Sequence, residues 1–339
     1  HTGREKHRPD SRLPLVQSGA VKQAMMGGTG LATVCVCLFF FSHLMGGFYY
    51  DTIRTYPVTE DTPPEIYGKI DKIARLAAAF DPLHGESRFV SADIAWFSND
   101  RKTAENLFLA ALARDPLNSV FLGRFANFLA RQGQPKRAEL GFKKAMEYDR
   151  TLADYTFQYA TWLMAQQNMA KGLAYMRRTL ELDETFMDNV LTAMVVSGAD
   201  NADIAQAIPD TPGPAIAYAG FLFDTGDIET AIAQYLHCLD LIEAMPLSSA
   251  KDPEHYARRK RSWYYKIYRF FHKHNDMRNA IQVMERAEKE LPADAGIKVT
   301  LGDLYRSQGI LYKARDKYAH ALLLDPNHPR ARRMIQQLK

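Results

Sequence analysis

The hydrophobic pattern of this chain changes character once. From Ala24 to Tyr50, 27 residues pass without an Asp, Glu, Lys or Arg, and the centre reads Leu31-Ala32-Thr33-Val34-Cys35-Val36-Cys37-Leu38-Phe39-Phe40-Phe41. About 20 apolar residues cross a hydrocarbon core, so the stretch predicts one membrane-spanning helix over 24–50, with Tyr49 and Tyr50 at an interface. A cleavable signal peptide fits less well, because its apolar part is shorter and no small-x-small site closes this one. Residues 51–63 are polar, carry Pro57 and Pro63 with Pro64 following, and read as a linker. Thereafter the apolar positions recur at helical spacing. Pro63-Pro64 opens a helix running to about Phe80, with Ile66, Ile70, Ile73, Ala74 and Ala77 on one stripe.

Over that helical pattern runs a longer period. Asp81-Pro82 is followed 34 residues later by Asp115-Pro116, then by Asp149 and Asp183 at the same interval, and Pro292 leads likewise to Pro326. A fixed period of this length marks stacked supersecondary units. The Asp residues read as turn residues that complete each repeat. Repeats fall over about 85–118, 119–152, 153–186, 212–245 and 261–294, and a last one shows Gly302, Tyr305, Gly309, Ala314, Tyr318, Ala321 and Asp325-Pro326 in order. Small residues let two helices approach, aromatics fill the space beside them, Gly309 suits a left-handed helix end, and proline stops the second helix. Residues 329–339 supply a polar capping helix. Two stretches break the period: 187–211, with a helix from Met187 to Val196 and a Pro-Gly cluster from Pro209 to Pro214, and an insertion at 246–260. They divide the repeats into an N-terminal block, 64–211, and a C-terminal block, 212–339.

In its recurring small and aromatic positions the sequence resembles a tetratricopeptide repeat array over about residues 64–328. The fold class expected is all-α: a single transmembrane helix followed by an α-α solenoid wound as a superhelix. Such arrays make binding surfaces, so the resemblance implies a scaffold for protein–protein interaction.

Charge adds an orientation. Arg4, Lys6, Arg8, Arg12 and Lys22 lie in the basic segment 1–23, whereas the first twenty residues after the span carry only Arg54 and Lys69 against Asp51, Glu60, Asp61 and Glu65. The positive-inside rule then puts the N-terminus in the cytoplasm and the repeats across the membrane, which in a bacterium is the periplasmic side of the inner membrane. His43, inside the span, reads either as a functional group or as a neutral residue near the far interface. Cys35, Cys37 and Cys238 imply no disulfide framework. A net charge of +4 does not imply a nucleic-acid partner, and none is expected across the membrane.

Catalytic motifs are missing from the sequence. It holds no His-Glu-x-x-His, no Gly-rich phosphate loop and no Cys-x-x-Cys, so no catalytic, cofactor or metal residue is assigned. His272 and His274, two apart on a helix, make a poor metal pair. The first helix of each repeat lines the concave groove of an array of this kind. On that face fall Phe89, Asp93, Trp96, Asn127, Arg131, Phe157, Thr161, Tyr265, Arg269 and His272, a set suited to a peptide or a sugar. The carboxylate clamp of chaperone-binding arrays is not supported, because Phe89 and Gly123 stand where Lys is expected. The densest local signal is the run from Arg258 to His274. Its cations Arg258, Arg259, Lys260, Arg261, Lys266, Arg269 and Lys273, interleaved with aromatics, suit an anionic lipid or glycan. Equally, Tyr264, Ile267, Tyr268 and Phe271 fall at helical spacing and would form a packing face that leaves the charges solvated.

A second resemblance concerns the order of parts. Lys22-Gln23, the span, Arg75-Leu76-Ala77-Ala78-Ala79-Phe80-Asp81-Pro82, and Asn118 after Asp115-Pro116 together resemble the C-terminal region of bacterial O-antigen ligase and polymerase-like proteins. That resemblance implies an accessory domain of a glycan transferase, with a glycan or lipid-linked glycan as ligand. The catalytic loops of that family lie between earlier spans, so no catalytic residue carries over. A chain that begins at His1 rather than Met is expected if it is the tail of such a parent.

Overall fold

The computed structural model describes residues 19–56, 58–245 and 252–338, with side chains from Met26 onward. Arg4, Lys6, Arg8 and Arg12, Pro57, the first part of the predicted insertion at 246–251, and Lys339 lie outside these residues. Among the described residues there are 17 α-helices, one short 3-10 helix and no strand. In chain order the helices are α1 Gly19–Ile53, α2 Pro64–Phe80, α3 Gly85–Phe97, α4 Arg101–Leu112, α5 Ser119–Arg131, α6 Pro135–Tyr148, α7 Ala153–Ala165, α8 Met169–Leu182 and α9 Met187–Val196. There follow α10 Asn201–Ala207, α11 Pro212–Asp224, α12 Ile228–Glu243, α13 Pro253–Lys273, α14 Met277–Glu290, α15 Ala295–Ser307, α16 Leu311–Leu324 and α17 Pro329–Gln337. The chain divides into two compact units, His1–Tyr148 and Asp149–Lys339. The boundary between them lies inside the stretch that the period assigns to one N-terminal block.

In each unit consecutive helices pair as hairpins: α1 with α2, α3 with α4 and α5 with α6 in the first, and α7 with α8, α11 with α12, α13 with α14 and α15 with α16 in the second. The second helix of each hairpin buries one residue triplet spaced i, i+4, i+7, the stripe a helix presents to a core. The triplets are Ile70/Ala74/Ala77, Ala104/Phe108/Ala111, Ala138/Phe142/Ala145, Gly172/Met176/Thr179, Ala231/Tyr235/Cys238, Ala280/Met284/Ala287 and Ala314/Tyr318/Ala321, all buried. The outer residues are mostly small so that the partner helix can come close. At Gly302 in α15 a Cβ would stand 2.6 Å from the Tyr318 ring, so this glycine is what admits the tyrosine.

The ladder of aspartates has a structural cause. Asp81, Asp183 and Asp325 each end a second helix, their N–H groups bonded to the carbonyls of Ala77, Thr179 and Ala321. The side chains of Asp81, Asp149, Asp183 and Asp325 then accept from the backbone N–H two residues on, at Leu83, Thr151, Thr185 and Asn327, over 2.8–3.1 Å. Asp115 does the equivalent through the Asn118 side chain at 2.9 Å. Each aspartate thus folds the chain back into the next first helix. A second ladder stands at the opposite ends of the hairpins. Asn99, Gly133, Gln167, Gly198, Gly226, Asn275 and Gly309 all adopt positive φ, between 59° and 90°. Within the 34-residue register, 99, 133 and 167 are equivalent, as are 275 and 309.

Departures from the expected layout have local reasons. Helix α1 runs on through Ile53 into the predicted linker, because Ile53 is buried and Tyr50 packs on the His84 ring at 4.8 Å. Helix α13 begins at Pro253, inside the predicted insertion 246–260, with the Asp252 side chain accepting from the His255 N–H. In the 187–211 stretch α9 spans Met187–Val196, the bounds the sequence predicts, and a seven-residue helix, α10, follows it.

Candidate functional site

Helix α1 carries two environments. From Met26 to Phe41 every residue is exposed, including Leu31, Val34, Leu38, Phe39 and Phe40. From Ser42 onward a helical stripe of partly or fully buried residues appears, at Ser42, Met45, Gly46, Tyr49, Tyr50 and Ile53. This second part is the first helix of the first hairpin. The Ser42 hydroxyl donates to the Phe80 carbonyl, His43 Nδ1 lies 3.4 Å from Asp81 Oδ2, and the Tyr49 and Phe80 rings stack at 5.6 Å. Gly46 is buried against the end of α2, where a Cβ would meet Asp81 Cβ at 2.5 Å and two backbone atoms, Asp81 N and Ala77 O, at 3.1 and 3.3 Å. The half-repeat that the sequence places at 64–82 is therefore completed by the end of the apolar helix.

In the first unit the predicted groove residues divide. Asp93 on α3 is buried and accepts from Arg124 Nε on α5 at 2.8 Å. Burial pushes its carboxyl up to about 6, against the opposing pull of the Arg124 guanidinium. Arg124 also lies over the Trp96 ring at 5.1 Å, and Arg131 covers the same ring at 5.3 Å while pairing with Glu60. Asp93, Trp96 and Arg131 thus form one cluster, joined by Arg124, which the sequence reading did not name. Phe89 stands elsewhere: its ring stacks on Phe121 at 4.5 Å and meets Phe108 edge-on at 5.8 Å. Asn127 is half-buried on α5.

In the second unit Phe157 packs on Phe186 at 5.7 Å, and the Thr161 hydroxyl donates to the Phe157 carbonyl. Tyr265 shares a hydrogen bond with Thr300 at 3.0 Å. His272 is exposed beside Tyr268, and Arg269 is exposed. Four of the seven cations of the predicted anionic-ligand patch on α13 stand beside carboxylates. Arg259 pairs with Glu184 at 2.6 Å, Lys260 with Glu290 at 2.7 Å, Arg261 with Asp294 at 3.2 Å and Arg258 with Glu254 at 4.0 Å. Lys260 is fully buried, so its pairing is structural. Lys266 and Lys273 are exposed. On the packing side, Tyr264, Ile267 and Phe271 are buried and Tyr268 is half-buried.

The second unit holds a cleft that the sequence did not locate. It has a volume of about 560 Å³ and lies between first-position helices α9 and α11, lined by Leu191, Val195, Val196, Ala217, Gly220 and Phe221. Asp188, Thr192 and Asp224 complete the lining. Val195 is 52% and Val196 81% exposed, so apolar lining is accessible from solvent. Pattern reading misses it because α9 belongs to the stretch where the 34-residue register fails. Among the described residues no three His, Cys, Asp or Glu side chains converge as a metal site.

No protein-family model matches the chain, and no curated protein matches it. Solved structures of low similarity do. PilW, a widely conserved type IV pilus biogenesis factor, is 13% identical over 87% of this chain and 98% of its own, with a TM-score of 0.36. The pilF protein of Pseudomonas aeruginosa is 12% identical over 75% and 97%, with a TM-score of 0.31. The APC/C hetero-tetramer of Cut9 and Hcn1 gives 14% identity and a TM-score of 0.34; the match covers 80% of this chain and spans 46% of the length of that one. Scores this low leave the assignment resting on the chain's own hairpins. By fold the chain is an all-α array of tetratricopeptide-type hairpins preceded by one long apolar helix.

Proposed function

We propose that this chain is a membrane-anchored scaffold that receives a protein segment on the first-helix face of its repeats. The observation that carries the reading is the α9–α11 cleft, whose lining is largely apolar and includes two carboxylates, Asp188 and Asp224. An extended peptide with an apolar side chain flanked by Lys or Arg satisfies both features, and a lining with two carboxylates disfavours an acidic ligand. Placing a photo-crosslinking residue at Val195 tests this in cells. A discrete protein adduct that disappears when Phe221→Arg fills the cleft supports the reading. A chain that folds, with Val195 accessible, yet yields no adduct rejects it.

The anchor belongs to the same proposal. The exposed apolar residues from Met26 to Phe41 cover about 24 Å of helix, and the helix back to Gly19 about 34 Å, which brackets a hydrocarbon core of about 30 Å. The basic flank before the span supports an orientation with the N-terminus in the cytoplasm and the repeats on the periplasmic side of a bacterial inner membrane. The runner-up, an accessory domain of an O-antigen ligase-like protein that takes a glycan or lipid-linked glycan, shares this layout of a span fused to repeats. Several further spans encoded upstream of His1 would favour it, and a start codon close to His1 would remove it.

A further inference from the structure

The hairpin made by α1 and α2 fixes which edge of the first unit faces the anchor. Helix α1 emerges from its exposed apolar part at Phe41 and Ser42, and α2 returns beside it, so the end of α2 lies next to Ser42 and Gly46. The loop after α2, Asp81-Pro82-Leu83-His84, therefore begins at the level where the apolar stretch of α1 ends, and its last residue, His84, reaches Tyr50 further along α1. The loop after α4 is tied to it: Arg114 Nε donates to the Pro82 carbonyl at 2.7 Å. Both loops end in exposed apolar tips. Leu83 is 69% and Leu117 63% exposed, and Pro82 and Pro116 beside them are exposed too. Turns at the other end of the hairpins lie on the opposite edge, as the pairing of Arg131 with Glu60 shows.

The register makes the leucines specific. Two residues after the ladder aspartate stand Leu83 and Leu117, but in later repeats the same position holds Thr151, Thr185 and Asn327. Nothing in the turn demands leucine: Asp81 uses only the Leu83 N–H, Asp115 uses the Asn118 side chain, and where threonine stands at 151 and 185 its hydroxyl adds a second bond to the aspartate that leucine cannot make. An exposed leucine gains nothing in water, whereas Pro-Leu tips flanking the exposed Arg114 cation suit the boundary of a bilayer, where apolar tips and a nearby cation both find partners.

We propose that the loops at 82–83 and 116–117 rest in the membrane interface, so that the first two repeats lie with this edge against the lipid surface rather than standing free of it. The proposal rests on the membrane-anchor reading, and adds that the anchor is a three-point seat made by α1, Leu83 and Leu117. Successive hairpins pack roughly 10 Å apart, so the seat extends about two hairpins from the span.

The test uses the full chain in lipid nanodiscs with Cys35, Cys37 and Cys238 replaced by Ala. Nitroxide labels are placed singly at Leu83→Cys, Leu117→Cys, Lys136→Cys on the opposite edge, and Val34→Cys in the span. Collision with oxygen, which concentrates in lipid, is compared with collision with a water-soluble nickel chelate. The proposal expects oxygen to dominate at 34, 83 and 117 and nickel at 136. If oxygen dominates at 34 while 83 and 117 match 136, the seat is wrong and the anchor stands. If nickel dominates at 34 as well, the anchor reading fails and the seat falls with it. Pro82→Cys and Pro116→Cys are the reserve labels should a leucine variant lose its helical circular dichroism.

Discussion

Gly46 and Gly47 are neighbours in one helix, and the account gives them opposite fates. A Cβ on Gly46 would lie 2.5 Å from Asp81 Cβ and close to two backbone atoms of the α2 end, whereas one on Gly47 meets nothing within 4 Å. Gly46→Ala must therefore push α1 and α2 apart by about 1 Å, since carbon atoms settle near 3.5–4.0 Å. The shift strains the Ser42–Phe80 bond, the His43–Asp81 contact and the Tyr49–Phe80 stack together. Overpacking of this kind costs about 1–3 kcal/mol, while replacing a helical glycine by alanine returns about 1 kcal/mol in either variant. The difference between the two variants is then the overpacking term itself, about 1–3 kcal/mol, with Gly46→Ala the less stable. Chemical unfolding in detergent, followed by fluorescence of Trp96 in a chain with Trp162 and Trp263 replaced by Phe and by proteolysis at 54–63, reads it. Equal stability of the two variants would mean that α1 is not packed on α2, and the anchor would no longer be part of the first repeat.

Three further outcomes are expected. Gln167 holds the left-handed turn position that Gly133 fills one repeat earlier, so Gln167→Gly should gain roughly 0.5–1 kcal/mol and raise the thermal midpoint, and a loss would refute the strain. Asp93, with its carboxyl raised from 3.8 to about 6, carries a cost that is absent below the unfolded value and complete above the folded one, on the order of 3 kcal/mol. Arg124→Met should lift that carboxyl further, so thermal unfolding must show a larger loss at pH 8 than at pH 5, and equal losses would contradict the pairing. Burial pushes the Cys238 thiol up to about 12, so it should resist maleimide in the native chain and react after denaturation.

Particular residues show how much of this was legible beforehand. The aspartate ladder was readable because an Asx turn needs the same side chain at each repeat, and α2 and α9 start and stop where proline and the apolar stripe say. Three of the seven positions of the second ladder, Asn99, Gln167 and Asn275, were not. Gly133, Gly226 and Gly309 advertise a left-handed position, but Gln167 adopts it with no sign in its side chain. Helical periodicity placed Phe89 on the groove face, yet it fills the space toward Phe121 and Phe108, because a period names a face without naming its neighbour. The bond from Arg124 to Asp93 and the ion pairs that quiet the α13 cations join residues 4 to 75 apart, and for the long-range ones no local pattern encodes the partner. The continuation of α1 into the polar linker was hidden for the same reason, since Ile53 is helical only because there is something to pack on.

The central claim is that one helix serves first as membrane span and then as the opening helix of the repeats. Single cysteines placed from position 26 to 53 and treated with a membrane-impermeant thiol reagent in sealed vesicles test it directly. The account predicts full protection through Phe41, then from Ser42 to Ile53 (Gly46 left unsubstituted) a helical alternation, with Leu44 and Phe48 reactive from the repeat side and Ile53 protected. Uniform reactivity from 42 to 53, or reactivity throughout from 26, would contradict it.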